Sequence, residues 1–110
     1  MEWLIEYYNE KVRLTVDAWP HGIRAFYARV TDRMKIYGPN LGLPFTRPFG
    51  GGLFELRASG KEGIGRAFFC TVKEQRIIVL HAFIKKTDKT PRKELEIARK
   101  RLLEVHRENT

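Results

Sequence analysis

The chain has 110 residues, 43% of them apolar, and this size and composition are typical of one folded domain spanning residues 1–110. Its single cysteine excludes a disulfide-built secreted scaffold, and no run approaches the ~18 apolar residues of a membrane span, so we expect a cytoplasmic protein without a membrane partner. The net charge of +8 excludes an acidic or neutral surface and favours a polyanionic partner such as nucleic acid.

The N-terminal third is predicted to contain one strand and two helices. Residues 3–8 are rich in aromatic and branched side chains, which is typical of a strand. Asn9 is a suitable N-cap for a short helix that begins at Glu10. From Pro20 to Tyr37, apolar residues recur at helical spacing with arginines on the opposite side, so we expect an amphipathic helix there.

The middle of the chain is predicted to form a long loop followed by three strands. Residues 38–52 hold five glycines and three prolines and are predicted to form the loop. The three predicted strands span residues 53–57, 66–72 and 76–84. A glycine-containing loop at residues 58–65 and a tight turn near residues 73–75 would join them, and such short connections indicate an antiparallel meander.

The last predicted element is a helix that closes the chain. Thr90 can cap its N-terminus, and Pro91 suits the first helical position because it needs no partner for a backbone N–H. Its apolar face would consist of Leu95, Ala98, Leu102 and Val105.

Positive charge is concentrated in the C-terminal half. Residues 1–56 carry 7 basic and 6 acidic side chains, whereas residues 57–110 carry 14 basic and 7 acidic ones. Such a lopsided positive field attracts a polyanion, most often nucleic acid. The alternative is a solvated basic surface that serves solubility.

Strand alternation turns this charge into a predicted site. We expect the face that packs on the helices to hold Phe54, Leu56, Leu80, Ala82 and Ile84. The opposite, open face would then hold Glu55, Arg57, His81 and Lys85. Arg66 begins the middle strand and could join them, although both faces of that strand are apolar, so its side is not fixed.

Several cations on one sheet face without matching acids suit an anion such as a phosphodiester. Cleavage by the neighbouring 2′-hydroxyl needs a base, cations for the charge on phosphorus and an acid for the leaving oxygen. Arg57 and Arg66 suit the phosphate, and His81 or Lys85 can move protons. Each of these residues also has a structural interpretation. His81 could be a core histidine, and Lys85 could be a solvated lysine. Arg57 and Arg66 could form salt bridges at the rim, and Glu55 can pair with an arginine.

Other kinds of site are not predicted. No histidine and cysteine set has zinc spacing, and no acidic set has calcium or magnesium spacing, so we expect no metal and no cofactor. Cys70 lies in the apolar run Ala67-Phe68-Phe69-Cys70 and is expected to be a buried, inert thiol.

Three motifs in fixed order carry a family resemblance. The stretches 51–57, 65–69 and 81–91 contain Glu-Leu-Arg, Gly-Arg-Ala-Phe-Phe and His-x-Phe-x-Lys-Lys-Thr-x-Lys-Thr-Pro. Together they resemble the phage-related branch of the RelE/HigB toxin superfamily, and the resemblance covers essentially the whole chain. It implies an α+β fold, with a small antiparallel sheet of about four strands, N-terminal helices on one face and a C-terminal helix.

The resemblance also implies a function. Such proteins are toxins of type II toxin–antitoxin systems, and many are metal-independent endoribonucleases that cut mRNA on the ribosome, leaving 2′,3′-cyclic phosphate and 5′-hydroxyl ends. The implied partners are a helix-turn-helix antitoxin, mRNA and the ribosome, with operator DNA reached only through the antitoxin.

The implied catalytic positions are Arg57, Arg66 and Lys85, with His81 beside them. Positions expected to contact the nucleic acid are Lys61, Lys86, Lys89, Arg92 and Lys93. Many relatives use a tyrosine near the C-terminus, but this chain has none after Tyr37, so the general base and general acid stay open between His81 and Lys85.

Two other functions remain on the same fold. One is a ParE-like, non-enzymatic inhibitor of DNA gyrase, and the other is an inactive toxin-like subunit of a DNA-binding repressor complex. ParE-like proteins generally lack the catalytic cations, so the set of Arg57, Arg66 and Lys85 favours the nuclease.

Overall fold

The computed structural model describes residues 2–85 and 91–109, which form an α+β fold with three helices and a five-stranded sheet in that part of the chain. In chain order the elements are β1 (Leu4–Tyr7), α1 (Glu10–Asp17), α2 (His21–Tyr37), β2 (Thr46–Gly50), β3 (Leu53–Gly60), β4 (Gly63–Val72), β5 (Arg76–Lys85) and α3 (Arg92–Glu108). None of the described helices is long and apolar enough to cross a membrane.

The sheet is mixed, with the strand order β1-β5-β4-β3-β2. The meander β3-β4-β5 is antiparallel as predicted, and β2 also runs antiparallel to β3, but β1 pairs with β5 in parallel. The expectation of about four antiparallel strands was therefore wrong in number and in direction. The additional strand, β2, lies within residues 38–52, which were predicted to be a loop. Its Pro48 is tolerated because β2 is an edge strand.

Several element boundaries follow from local chemistry. The N-cap prediction is confirmed, since the backbone N–H of Val12 donates to Oδ1 of Asn9 over 2.9 Å at the start of α1. Strands β3 and β4 continue through the predicted loop 58–65 and leave only Lys61 and Glu62 between them. Helix α3 begins at Arg92, one residue later than expected, with Pro91 in the N-cap position. Thr90, the predicted cap, lies outside the described residues.

Both faces of the sheet are packed, which differs from the one-sided arrangement that alternation predicted. Helices α1 and α2 cover one face, where the core includes Val16, Ile23, Val30, Leu56 and Phe69. Helix α3 packs on the other, where the core includes Leu53, Phe68, Leu80, Ala98 and Leu102. The apolar face predicted for the last helix is thus confirmed at three buried positions, Ala98, Leu102 and Val105.

A β-bulge in β5 explains why one predicted core residue changes sides. Phe68 pairs with His81, but the next residue of β4 pairs with Val79, so Leu80 is an extra residue in β5. A bulge of this kind shifts the alternation of side chains by one position. Leu80 therefore packs under α3, whereas Ala82 and Ile84 face α1 and α2 as predicted.

Candidate active site

A concave pocket of about 510 Å³ opens on the α3 side of the sheet, beyond the part that α3 covers. It lies at the end of the sheet that carries the turn between β3 and β4, and the segment before β2 forms one wall. Its polar lining residues are Thr46, Arg47, Glu55, Arg57, Arg66 and Lys85. Four cations and one carboxylate therefore meet in one pocket, which is the charge pattern of an anion site.

Strand register places these side chains together. Arg47 lies opposite Glu55 across β2 and β3, and Arg57 lies opposite Arg66 across β3 and β4. Lys85 joins through the pairing of β4 with β5, two residues along the strand from the partner of Arg66. Because directly opposed residues project from the same face, the register gives one cationic surface across four strands.

A buried ion pair forms the floor of the pocket. Nη1 of Arg66 donates to Oε1 of Glu55 over 2.5 Å, and Nε of Arg47 donates to the same oxygen over 3.2 Å. Glu55 is 1% exposed and Arg66 is 3% exposed. Burial lowers the pKa of the Arg66 guanidinium, while Glu55 acts in the opposite direction. The alternative in which Glu55 pairs with an arginine is thus confirmed, and this pair fixes the Arg66 side chain.

Two cations of the pocket keep their charges available. Among the residues that the structure describes, neither Arg57 nor Lys85 makes a side-chain hydrogen bond or an ion pair. The pKa of Lys85 is lowered, first by desolvation and then by the positive charges of Arg66, Arg57 and Arg47, with Glu55 opposing. Mutual repulsion of this kind would be relieved by a bound anion.

His81 lies outside this pocket, although it projects from the same side of the sheet. Its Nε2 is 3.0 Å from Oε1 of Glu94 in the first turn of α3, and its ring stacks near Phe83 with 5.9 Å between centroids. The side chain is only 15% exposed. His81 therefore shares the predicted face with the cations, but the expectation that this face is open at His81 was wrong, because α3 covers it there.

Three of the five positions expected to contact nucleic acid lie within the described residues, and they are exposed outside the pocket. Lys61 is exposed in the turn between β3 and β4, and Arg92 and Lys93 are exposed at the start of α3. None of these three lines the pocket. Lys86 and Lys89, predicted from the same motif, lie outside the described residues. Cys70 is buried, and burial raises its pKa to about 11, in agreement with the predicted inert thiol.

Arg47 is the charged pocket residue that the sequence did not predict. It lies in the segment predicted to be a loop, where alternation cannot be applied, and its only sequence signal is a positive charge between Thr46 and Pro48. In the structure it stacks on Phe49, with Cζ 4.8 Å from the ring centroid, while its Nε bonds to Glu55. Within the described residues no group of three or more His, Cys, Asp and Glu side chains is arranged to hold a metal ion.

Comparison with models of known protein families finds a match. Residues 15–103 match the sequence model of a family described as "Phage derived protein Gp49-like (DUF891)". The matched range includes α2, the whole meander and every polar residue of the pocket. No curated protein matches the chain.

Proposed function

We propose that this chain, which belongs to the phage-derived Gp49-like family, is a toxin that cuts mRNA. That family is associated with the toxins of toxin–antitoxin pairs. The finer proposal is a RelE/HigB-like endoribonuclease that acts without a metal on mRNA in the ribosome. Its products would be 2′,3′-cyclic phosphate and 5′-hydroxyl ends. A helix-turn-helix antitoxin would be its partner, and operator DNA would be reached through that antitoxin.

The observation that carries this proposal is the pair of cations without partners among the described residues, Arg57 and Lys85, beside the buried Arg66 in one concave pocket. A phosphodiester fits such a site because its non-bridging oxygens accept hydrogen bonds from a guanidinium and its charge is matched by an ammonium. A surface kept basic for solubility would not need to gather its cations against the sheet at the cost of repulsion.

In the proposed cleavage reaction, the cations of the pocket would take different parts. The 2′-oxygen forms a bond to phosphorus, its proton passes to solvent, and the bond from phosphorus to the 5′-oxygen breaks. Arg57 would stabilise the extra charge on the phosphoryl oxygens, and the Lys85 ammonium would give a proton to the leaving 5′-oxygen. Arg66, whose side chain is fixed by Glu55, would add positive charge that attracts the phosphate. His81 has no part in this scheme, because it lies outside the pocket and its Nε2 contacts Oε1 of Glu94.

Expression of the protein with mapping of mRNA 5′ ends tests the proposal. We expect growth arrest, and new 5′-hydroxyl ends inside messages that are being translated. Intact messages together with DNA breaks would contradict it and would instead indicate a gyrase inhibitor. Normal growth of cells that make the folded protein without any antitoxin would indicate an inactive toxin-like subunit.

The role of Lys85 gives a prediction about pH. Since the charged ammonium is the working form and its pKa is lowered, cleavage should be full below that pKa and should fall as pH rises through it. Lys85→Arg keeps the positive charge but cannot give up a proton in this range, so cleavage should be slow at every pH and the alkaline fall should disappear from a rate profile from neutral to alkaline pH. Lys73→Arg, in the turn after β4, is the matched control and should leave the profile unchanged. A rate that rises with pH would assign Lys85 the role of base instead.

A further inference from the structure

Beside the pocket, a continuous stack of two arginines and two phenylalanines runs between α2 and the segment before β2. Cζ of Arg29 lies 5.2 Å from the ring centroid of Phe26, and the rings of Phe26 and Phe45 are 6.1 Å apart. Cζ of Arg33 lies 5.5 Å from the ring of Phe45. These distances are within the range of cation–π and aromatic contacts, so the four side chains support one another as one stack.

The two guanidinium groups are held in position by the phenylalanine rings. Arg29 and Arg33 are exposed, and neither has a hydrogen bond or an ion pair with any other described residue. A guanidinium that lies on a ring is occupied through its flat face, and the N–H groups at its edge stay free to donate. The neighbouring acid, Asp32, lies 3.7 Å from the Lys35 ammonium rather than on either arginine.

The stack begins at the rim of the pocket. Phe45 lines the pocket and is also a member of the stack, and its carbonyl accepts a hydrogen bond of 2.9 Å from the backbone N–H of Arg57. Arg47, inside the pocket, shows the same device, because it lies on the ring of Phe49. The stack therefore links the wall of the pocket, through Phe45, to α2 on the other face of the sheet, where the two arginines lie one helical turn apart.

We propose that Arg29 and Arg33 form a track for the phosphate backbone of a single RNA strand that leaves the pocket across α2. This inference rests on the proposed function, since it extends the substrate path of the same site. An RNA strand fits better than an acidic protein because the stack shares Phe45 with the wall of a pocket that suits one phosphodiester. Each further phosphate along the strand then meets a guanidinium whose position is already fixed.

The test measures binding rather than cleavage, with 2′-O-methyl oligoribonucleotides that cannot be cut. Fluorescence anisotropy would compare strands of about 4 and about 12 nucleotides. Arg29→Ala with Arg33→Ala should weaken binding of the longer strand about tenfold and leave the shorter strand unaffected. The dependence of log affinity on log salt should become less steep by about 1.4, the value for two lost phosphate contacts on a single strand.

Lys11→Ala with Lys73→Ala is the matched control, because it removes two exposed positive charges from α1 and from the opposite end of the sheet. It should leave the preference for the longer strand intact. Thermal unfolding would check that every variant folds. Arg29→Lys with Arg33→Lys keeps the charges but not the planar stack, and should recover only part of the affinity. Full recovery would contradict the role of the stack.

Equal binding of the longer strand by the parent protein and the double alanine variant would overturn the track. The same holds if that variant loses affinity only for polyglutamate, which would indicate an acidic protein as occupant. Failure of the proposed function has a different signature. If Arg57→Ala with Lys85→Ala binds the shorter strand as tightly as the parent, the pocket is not the RNA site.

Discussion

Arg57→Ala combined with Lys85→Ala is expected to lower the rate of mRNA cleavage by about 10³-fold or more and to abolish growth arrest. Removing one donor that stabilises a developing oxyanion typically costs about 10²- to 10³-fold, and these two cations are the ones without partners in the described pocket. Primer extension on a translated message would give the rate. Expression in cells would give the phenotype.

The fold should survive this double substitution. Neither side chain makes a hydrogen bond or an ion pair in the described structure, and removing like charges relieves repulsion in the pocket. The unfolding midpoint should therefore stay the same or rise slightly. Lys11→Ala with Lys73→Ala removes the same charge elsewhere and should retain both cleavage and toxicity. If the pocket variant cuts at the parental rate, the catalytic assignment is wrong.

Glu55→Ala is expected to lower the free energy of unfolding by about 3–5 kcal/mol, the largest effect on stability that we predict from the pocket. The substitution leaves the Arg66 guanidinium 3% exposed with no carboxylate partner, and an unpaired buried charge is costly. Urea unfolding followed by circular dichroism would measure the loss. A loss below about 1 kcal/mol would show that Arg66 reaches solvent when Glu55 is absent.

Replacing both partners separates stability from chemistry. Glu55→Leu with Arg66→Met removes the two charges together, and well-packed apolar substitutes for a buried ion pair are often neutral or stabilising. We expect this double variant to be clearly more stable than Glu55→Ala, so the coupling between the two sites should be large. Cleavage should nevertheless stay low, because the positive field of Arg66 is gone. Restored cleavage would show that the pair has only a structural role.

Local chemistry made several features predictable from the sequence. Asn9 caps α1 because its short side chain reaches a free N–H of the first turn, and apolar spacing of 3.6 residues marks α2 and α3. Strand alternation was enough to place Arg57 and Lys85 on one side of the meander, since their strands run without interruption around these positions. The cationic pair proposed for catalysis was thus foreseeable.

Features that depend on contacts between residues distant in sequence could not be predicted in this way. Strand β2 has the sequence Thr-Arg-Pro-Phe-Gly, which has little strand preference, and it becomes a strand only by pairing with the edge of β3. Arg47 enters the pocket through that pairing. The parallel partner of β1 is likewise fixed by a contact some 70 residues away along the chain.

The position of His81 shows most clearly what local sequence patterns do not predict. The sequence alone determined an α+β chain with a basic C-terminal half and a meander that brings Arg57 and Lys85 to one face. The structure was needed to show that Leu80 is an extra residue in β5, that α3 covers the face beside it, and that Glu94 contacts the histidine. A bulge and a helix docking position arise from packing across the whole sheet, which no local pattern encodes.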